Sequence, residues 1–175
     1  MGSIYGSSYY TTFKADSWTK AETKSRELGG HLITLNTLDE FKWARDNIWY
    51  NPDIKLTAYF VGLNDVEAEG KYKWSSGQSH EWANITDLIF RQGWIAQQHH
   101  AGSSDYFLVH SNNRGFTGEN SQSRLYSGNY GNLIWVDDNS SYYKGWGMPH
   151  FGIAEIPLSY FSIEDASFRE GKAGD

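Results

Sequence analysis

From Ser75 to Leu133 the chain loses periodicity. Gly, Ser, Asn and His dominate that stretch, and one strand-like run, Tyr106-Phe107-Leu108-Val109, interrupts it. So long a segment with so little periodicity in a compact domain is usually functional or mobile. In a chain of 175 residues the flanking segments must therefore supply the scaffold. With 39% hydrophobic residues they have enough apolar material to do so as a single domain.

The flanks are regular. Tyr9-Tyr10-Thr11-Thr12-Phe13 is aromatic and β-branched and predicts a strand. Asp16 or Ser17 can cap a helix with Trp18, Ala21 and Leu28 on one face, stopped by Gly29-Gly30. His31 to Leu35 predicts a short strand. Thr37 and Glu40 have the spacing of a capping box, which opens a second helix. Its inner face carries Leu38, Phe41 and either Ala44 or Ile48, and Asn51-Pro52 ends it. Ala58 to Leu63 is a near-continuous apolar run, expected as a strand buried on both faces. Lys71-Tyr72-Lys73-Trp74 alternates like a half-solvated hairpin partner, and Phe151 to Ile156 predicts a closing strand ended by Pro157. Trp18, Trp43 and Trp74 are expected in the core.

Composition removes several function classes. Fifteen Lys+Arg against 21 Asp+Glu leave a formal charge of −6, so no basic surplus exists to displace counterions from nucleic-acid phosphates. No apolar run approaches the ~20 residues that span a bilayer, so no membrane insertion is expected. Cysteine is absent, which excludes a disulfide framework, thiol catalysis and Cys-based zinc sites. The chain has no Gly-x-Ser-x-Gly elbow, His-Glu-x-x-His pair or phosphate-cradling loop, and is not expected to be an enzyme. Aromatic residues reach 17%, with 8 Trp and 12 Tyr beside 18 Gly, a balance suited to a loop-rich extracellular binding module. Met1-Gly2-Ser3 reads as an added leader, which places residues 1–7 outside the domain.

The landmarks over residues 8–157 resemble the C-type lectin-like domain, in a cysteine-free, bacterial type. Trp18-x-x-Ala21 followed by Gly29-Gly30-His31-Leu32 is similar to that family's first helix and next strand. Thr37-Leu38-Asp39-Glu40 is similar to the opening of its second helix, and Phe60-Val61-Gly62-Leu63 to its Trp-Ile-Gly-Leu core strand. Gly70 to Gly77 and Gly152-Ile153-Ala154-Glu155-Ile156 are similar to the following hairpin and the closing strand. The resemblance implies an α+β fold in which two helices flank antiparallel sheets and a long irregular loop region carries recognition. Residues 158–175 read as a linker or as the start of a following module, because Phe161 to Gly171 resembles the opening of a Calx-beta repeat.

The same resemblance implies a site. Family members that bind sugar hold Ca²⁺ through a Glu-Pro-Asn or Gln-Pro-Asp triplet and a later Trp-Asn-Asp triplet. The ion takes about six to eight oxygens, some of them sugar hydroxyls. Here Trp135-Val136-Asp137 stands at the second triplet, with valine in place of Asn, and Asp138 and Asn139 follow. Aligning Trp94 with the family's preceding Trp puts Gln98-His99-His100 at the first triplet, without its proline. The metal ligands implied are Asp137, Asp138, Asn139, Asp105 and Gln98, with Ca²⁺ as cofactor. The sugar-contacting residues implied are Trp94, His99, His100, Trp135, Trp146 and Tyr143.

Read from the residues alone, the loop aspartates are turn formers bonding nearby backbone, and adjacent histidines diverge on an extended backbone. Asn84-Ile85-Thr86 matches an N-glycosylation sequon. The expected function is extracellular or cell-surface carbohydrate binding within a larger adhesin, with a glycan as partner. The alternative is a calcium-independent protein-interaction or adhesion module on the same fold.

Overall fold

The computed structural model of the chain describes residues 2–78, 104–111 and 133–161. In chain order its elements are β1 (Ser3–Tyr5), β2 (Ser8–Lys14), α1 (Trp18–Glu27), β3 (His31–Leu32) and α2 (Leu38–Ala44), continued by a π-helical segment, Arg45–Trp49. Then come β4 (Ala58–Asn64), β5 (Lys73–Trp74), β6 (Tyr106–His110), β7 (Ile134–Val136), α3 (Ser141–Gly145) and β8 (His150–Pro157). The strands join in the order β1-β2-β8-β4-β6-β7, with β3 also on β8 and β5 on β4. The β4–β8 pair is parallel and the other pairings are antiparallel. This is the α+β architecture that the sequence predicts.

Period-two alternation explains why β4 is apolar throughout. Tyr59, Val61 and Leu63 enter one core with Phe41, Trp49, Phe107 and Trp135, whereas Ala58 and Phe60 enter another with Trp18, Leu108, Ile134 and Val136. The side of α2 belongs to the first core and that of α1 to the second. Gly62 is required between them, because a Cβ there would stand 2.8 Å from the Leu32 carbonyl oxygen and 2.9 Å from Ser75 Oγ. Just beyond Val61 the β4–β6 register slips. The Val61 carbonyl is taken up by the Trp18 indole N–H at 2.7 Å, so α1 is fastened to the sheet at the irregularity.

Local signals in the sequence act as their chemistry dictates. Ser17 is the N-cap of α1, its hydroxyl accepting from Lys20 N at 3.2 Å. Gly29 leaves the helix at φ +96°, open to glycine at little cost. Trp18 and Trp74 are buried, and Trp43 is half-buried against the first core. One expectation is corrected. Residues 3–5, predicted to lie in a leader outside the domain, form β1 and pair with β2 from Ser3↔Tyr10 to Tyr5↔Ser8. Tyr5 stacks on Trp43 at 4.9 Å between ring centroids, which gives the strand an aromatic anchor.

A buried polar cluster locks the sheet to α2. Tyr10 Oη donates to Glu40 Oε1 at 2.8 Å and, at 3.3 Å, to Glu155 Oε1. Glu155 Oε2 accepts from Thr34 N at 2.9 Å, and Glu40 Oε2 accepts from Asn36 N at 3.1 Å. Burial, and then the Glu155 carboxylate, push the Glu40 carboxyl up from 4.5 to about 7. Burial also raises Glu155. At the far end of β6, burial pulls the His110 imidazole down from 6.5 to about 4.

The two groups act on stability in opposite directions. Glu40 binds its proton more tightly when folded, so its contribution is full below pH 4.5 and lost as pH rises through about 7. His110 contributes fully above pH 6.5 and loses that contribution as pH falls through about 4. The melting temperature should therefore peak in the weakly acid range. Glu40→Gln, which keeps one acceptor oxygen and the shape of the side chain but does not titrate, should flatten the alkaline limb and leave the acid limb. A scan of melting temperature against pH in which both limbs match the unsubstituted protein contradicts this assignment.

Candidate functional site

The segment from β7 through α3 to β8 carries most of the predicted site residues that lie in the described structure. As β7 is a strand, Trp135 and Val136 point to opposite faces and enter the first and second cores, only 4% and 2% exposed. Trp135 packs on Phe107 with centroids 5.8 Å apart. Its predicted role at a sugar-contacting surface is corrected to a core role.

Asp137 and Asp138 follow at the strand end, and each caps a helix. Asp137 Oδ1 accepts from Ser141 N at 2.8 Å and Oδ2 from the Ser141 hydroxyl, opening α3. Asp138 reaches across the molecule. Its Oδ1 accepts from Thr19 N at 2.8 Å, its Oδ2 from Thr19 Oγ1 at 2.9 Å, and its carbonyl from Trp18 N at 2.9 Å. Three donors in the first turn of α1 thus converge on one residue, and its negative charge sits at the positive end of the helix. Asn139 is exposed.

Helix α3 is held at both ends. Ser140 adopts φ +51°, a left-handed conformation uncommon for serine. Its hydroxyl is 2.8 Å from His150 Nε2, while His150 Nδ1 is 2.7 Å from the Met148 carbonyl. A carbonyl only accepts, so Nδ1 carries the proton and Nε2 accepts from Ser140. Burial pulls this imidazole below its ordinary value, in keeping with the neutral form that arrangement needs. At the other end Met148 N bonds Tyr143 O at 3.3 Å and Gly147 N bonds Lys144 O at 2.8 Å, with Gly147 at φ +73°. That pairing is a Schellman motif, and Trp146 is its C-cap.

The aromatics of α3 form a graded series. Tyr143 is buried in the second core, 5.1 Å from the Tyr142 ring in an edge-to-face contact and 6.5 Å from His110. Tyr143, predicted to touch ligand, therefore has an interior position. Tyr142 is half-buried and lies 5.8 Å from the Trp146 ring. Trp146 is 71% exposed. Tyr142 lies four residues from Trp146, a spacing that places both on one helical face.

Asp105 lies apart from these aspartates in its hydrogen bonding. Its carbonyl accepts from Asp65 N at 3.0 Å, and Asp65 is buried with its carboxylate accepting from Gly70 N at 2.9 Å. Burial first, then the Asp65 charge, hold the Asp105 carboxyl above its ordinary value. Trp94, Gln98, His99 and His100 lie outside the described residues, as do Asn84-Ile85-Thr86 and the chain after Phe161.

Comparison with known proteins agrees with this architecture. Over 71 residues, 40% of this chain, the sequence is 31% identical to C-type lectin domain family 6 member A of Mus musculus, a match taking in 32% of that protein. The chain thus spans about a third of that curated relative's length. In structure it is similar to the cow C-type carbohydrate-recognition domain of CD23, determined in the presence of GlcNAc2Man3 oligosaccharide, with TM-score 0.57, 14% identity and coverage of 89% of this chain and 92% of that one. It is also similar to a calcium-independent type II antifreeze protein, with TM-score 0.54, 13% identity and coverage of 89% and 91%. The chain has the C-type lectin-like fold. No protein-family model matches it.

On this C-type lectin-like scaffold the expected calcium ligands do not assemble among the described residues. Val136 is a core side chain without oxygen, and Asp137 and Asp138 turn their carboxylates to separate helix ends. Among the described residues no three Asp, Glu or His side chains are grouped to hold a metal. Asp138→Ala should then cost about 1 kcal/mol of stability as the loss of a helix cap. Urea unfolding in calcium and in chelator should show the same loss. A loss confined to the calcium-containing buffer would instead make Asp138 a metal ligand.

Proposed function

We propose that the chain is an extracellular carbohydrate-binding module of a larger surface or secreted protein, and that it takes a sugar ring on the Tyr142–Trp146 pair. The observation that carries this reading is Trp146, 71% exposed yet fixed as the C-cap of a helix secured at both ends. An indole in water is costly to leave bare, and the apolar face of a pyranose fits against it. Because the Schellman motif and the Tyr142 ring already hold the side chain's base, stacking demands little further ordering. Likeness to a carbohydrate-recognition domain supports the reading. Likeness to a calcium-independent protein of the same fold supports recognition without the ion at these residues. Trp94, His99 and His100 remain proposed as sugar contacts, and Gln98 as a metal ligand, on the family resemblance alone.

An exposed tryptophan also suits a protein partner. The test therefore uses sugars directly. Glycan-array hits should bind by titration calorimetry with equal affinity in calcium and in chelator, and Trp146→Ala should weaken them at least tenfold, about 1.4 kcal/mol. The same variant should melt within about 0.5 kcal/mol of the parent, since the ring is at the surface. An undiminished glycan affinity in Trp146→Ala refutes the assignment, and a chelator-sensitive affinity refutes its calcium independence.

A further inference from the structure

The geometry points to a second subsite, for the acidic group of an anionic saccharide, in a lysine-lined groove between α1 and the end of β2. The groove has a volume of about 440 Å³ and runs from Asp16, just ahead of α1, along a stripe of that helix through Thr19, Lys20, Thr23 and Lys24 to Glu27. Its other wall is Phe13, Lys14 and Ala15 of β2 and the turn beyond it. A second hollow of about 310 Å³ shares Lys14, Ala15 and Asp16 and is lined on its far side by Lys144 of α3. The two hollows thus share the wall Lys14-Ala15-Asp16, and the second reaches Lys144 of the helix that leads to Trp146.

The charges in this groove oppose those of the molecule. The chain carries −6, yet the two hollows together gather Lys14, Lys20, Lys24 and Lys144 against only Asp16 and Glu27. The two carboxylates cancel half of this and leave a local surplus of +2 (4 − 2). Lys20 meets Asp16 at 3.9 Å and Lys24 meets Glu27 at 3.7 Å, both between exposed side chains, where such pairs are worth little. Lys144 bonds the Asp16 carbonyl, which leaves its charge uncancelled. Lys14 is exposed and makes no ion pair among the described residues. A ligand carboxylate or sulfate arriving here replaces long, solvated pairs with shorter ones at little cost.

The remaining surface selects a saccharide. Phe13 is half-buried, its ring standing over Gly152, where a Cβ would come 2.6 Å from Phe13 Cζ. It offers an apolar edge in the floor, and the threonines beside it offer hydroxyl oxygens to sugar hydroxyls. Ring, hydroxyl and ammonium in one open groove suit a uronic or sulfated sugar. This inference rests on the carbohydrate reading above and names the class of glycan, while its residues are separate from the aromatic pair.

The test is titration of the whole chain with three hexasaccharides of similar length, one neutral, one of uronic acid and one sulfated. One or both acidic probes should bind at least tenfold tighter than the neutral one, with affinity falling as salt rises. Which acidic probe binds tighter identifies the group seated. Lys14→Glu/Lys24→Glu should abolish that preference and leave neutral binding unchanged, whereas Lys42→Glu/Lys71→Glu, at exposed lysines outside the groove, should preserve it. Equal affinities for all three probes overturn the subsite, as does an equal loss in both double variants, which would mean unspecific attraction. An acidic peptide that competes on equal terms overturns the saccharide assignment. The subsite and the aromatic pair fail separately. Loss on Trp146→Ala without loss on Lys14→Glu/Lys24→Glu removes the former, and the reverse pattern removes the latter.

Discussion

The pairing of β2 with β8 is the interaction on which the rest of the molecule depends. It joins Ser8 to Pro157 and Lys14 to Phe151, so nearly the whole described fold is enclosed between its strands. Closing so long a loop costs conformational entropy, although the cost rises only with the logarithm of its length. A chain without cysteine must offset it with non-covalent contacts. Glu155 gathers many of them. One oxygen accepts from Ser8 at 3.1 Å and from Tyr10, and the other accepts from Thr34 N. A carboxylate so buried is tolerable only with donors of this kind around it. The same residue thus binds the first long strand, the last strand and the segment leading to α2.

Once the ends are paired, β8 has its other edge free for β4, and the sheet acquires a centre with two apolar faces. That division fixes what the loops can do. The β7–α3–β8 connection lends Tyr143 and Met148 to the second core and otherwise stands at the rim of the sheet. It is tied there by polar contacts of long sequence separation, Asp138 to Thr19 and Lys144 to Asp16. Stability lies in the strands, and the exposed ring of Trp146 is added at the margin.

Sequence reading succeeds where the signal is local. Gly29-Gly30 stops α1, Thr37 accepts from Glu40 N as a capping residue should, and the apolar run of β4 is buried as predicted. Even there the capping box is only half realised. The Glu40 side chain bonds Asn36 N rather than Thr37 N, because Tyr10 draws its other oxygen toward the sheet. The failures are of another kind. Trp135-Val136-Asp137 looks like a ligand triplet until β7 forms, whereupon alternation sends its first two side chains into opposite cores. Asp138 looks like a turn former, and its true partner, Thr19, is distant in sequence and adjacent only in the fold. β1 carries no strong strand signal of its own and is recruited by β2 and by stacking of Tyr5 on Trp43.

Charge limits which ligands can reach the rim. A protein carrying −6 repels an acidic polymer at long range, the reverse of the steering that basic proteins exert on nucleic acids. At physiological ionic strength that repulsion is screened beyond about 8 Å. An acidic sugar therefore gains nothing on approach and is held only once its charge lies among the lysines of the α1 groove. Such recognition is short-ranged by construction. It favours chains already oriented by contact with an aromatic ring, and Lys144 lies on the helix that presents one. Weak attraction of this type gains most from repetition along a polymer, where each engaged unit raises the effective concentration of the next.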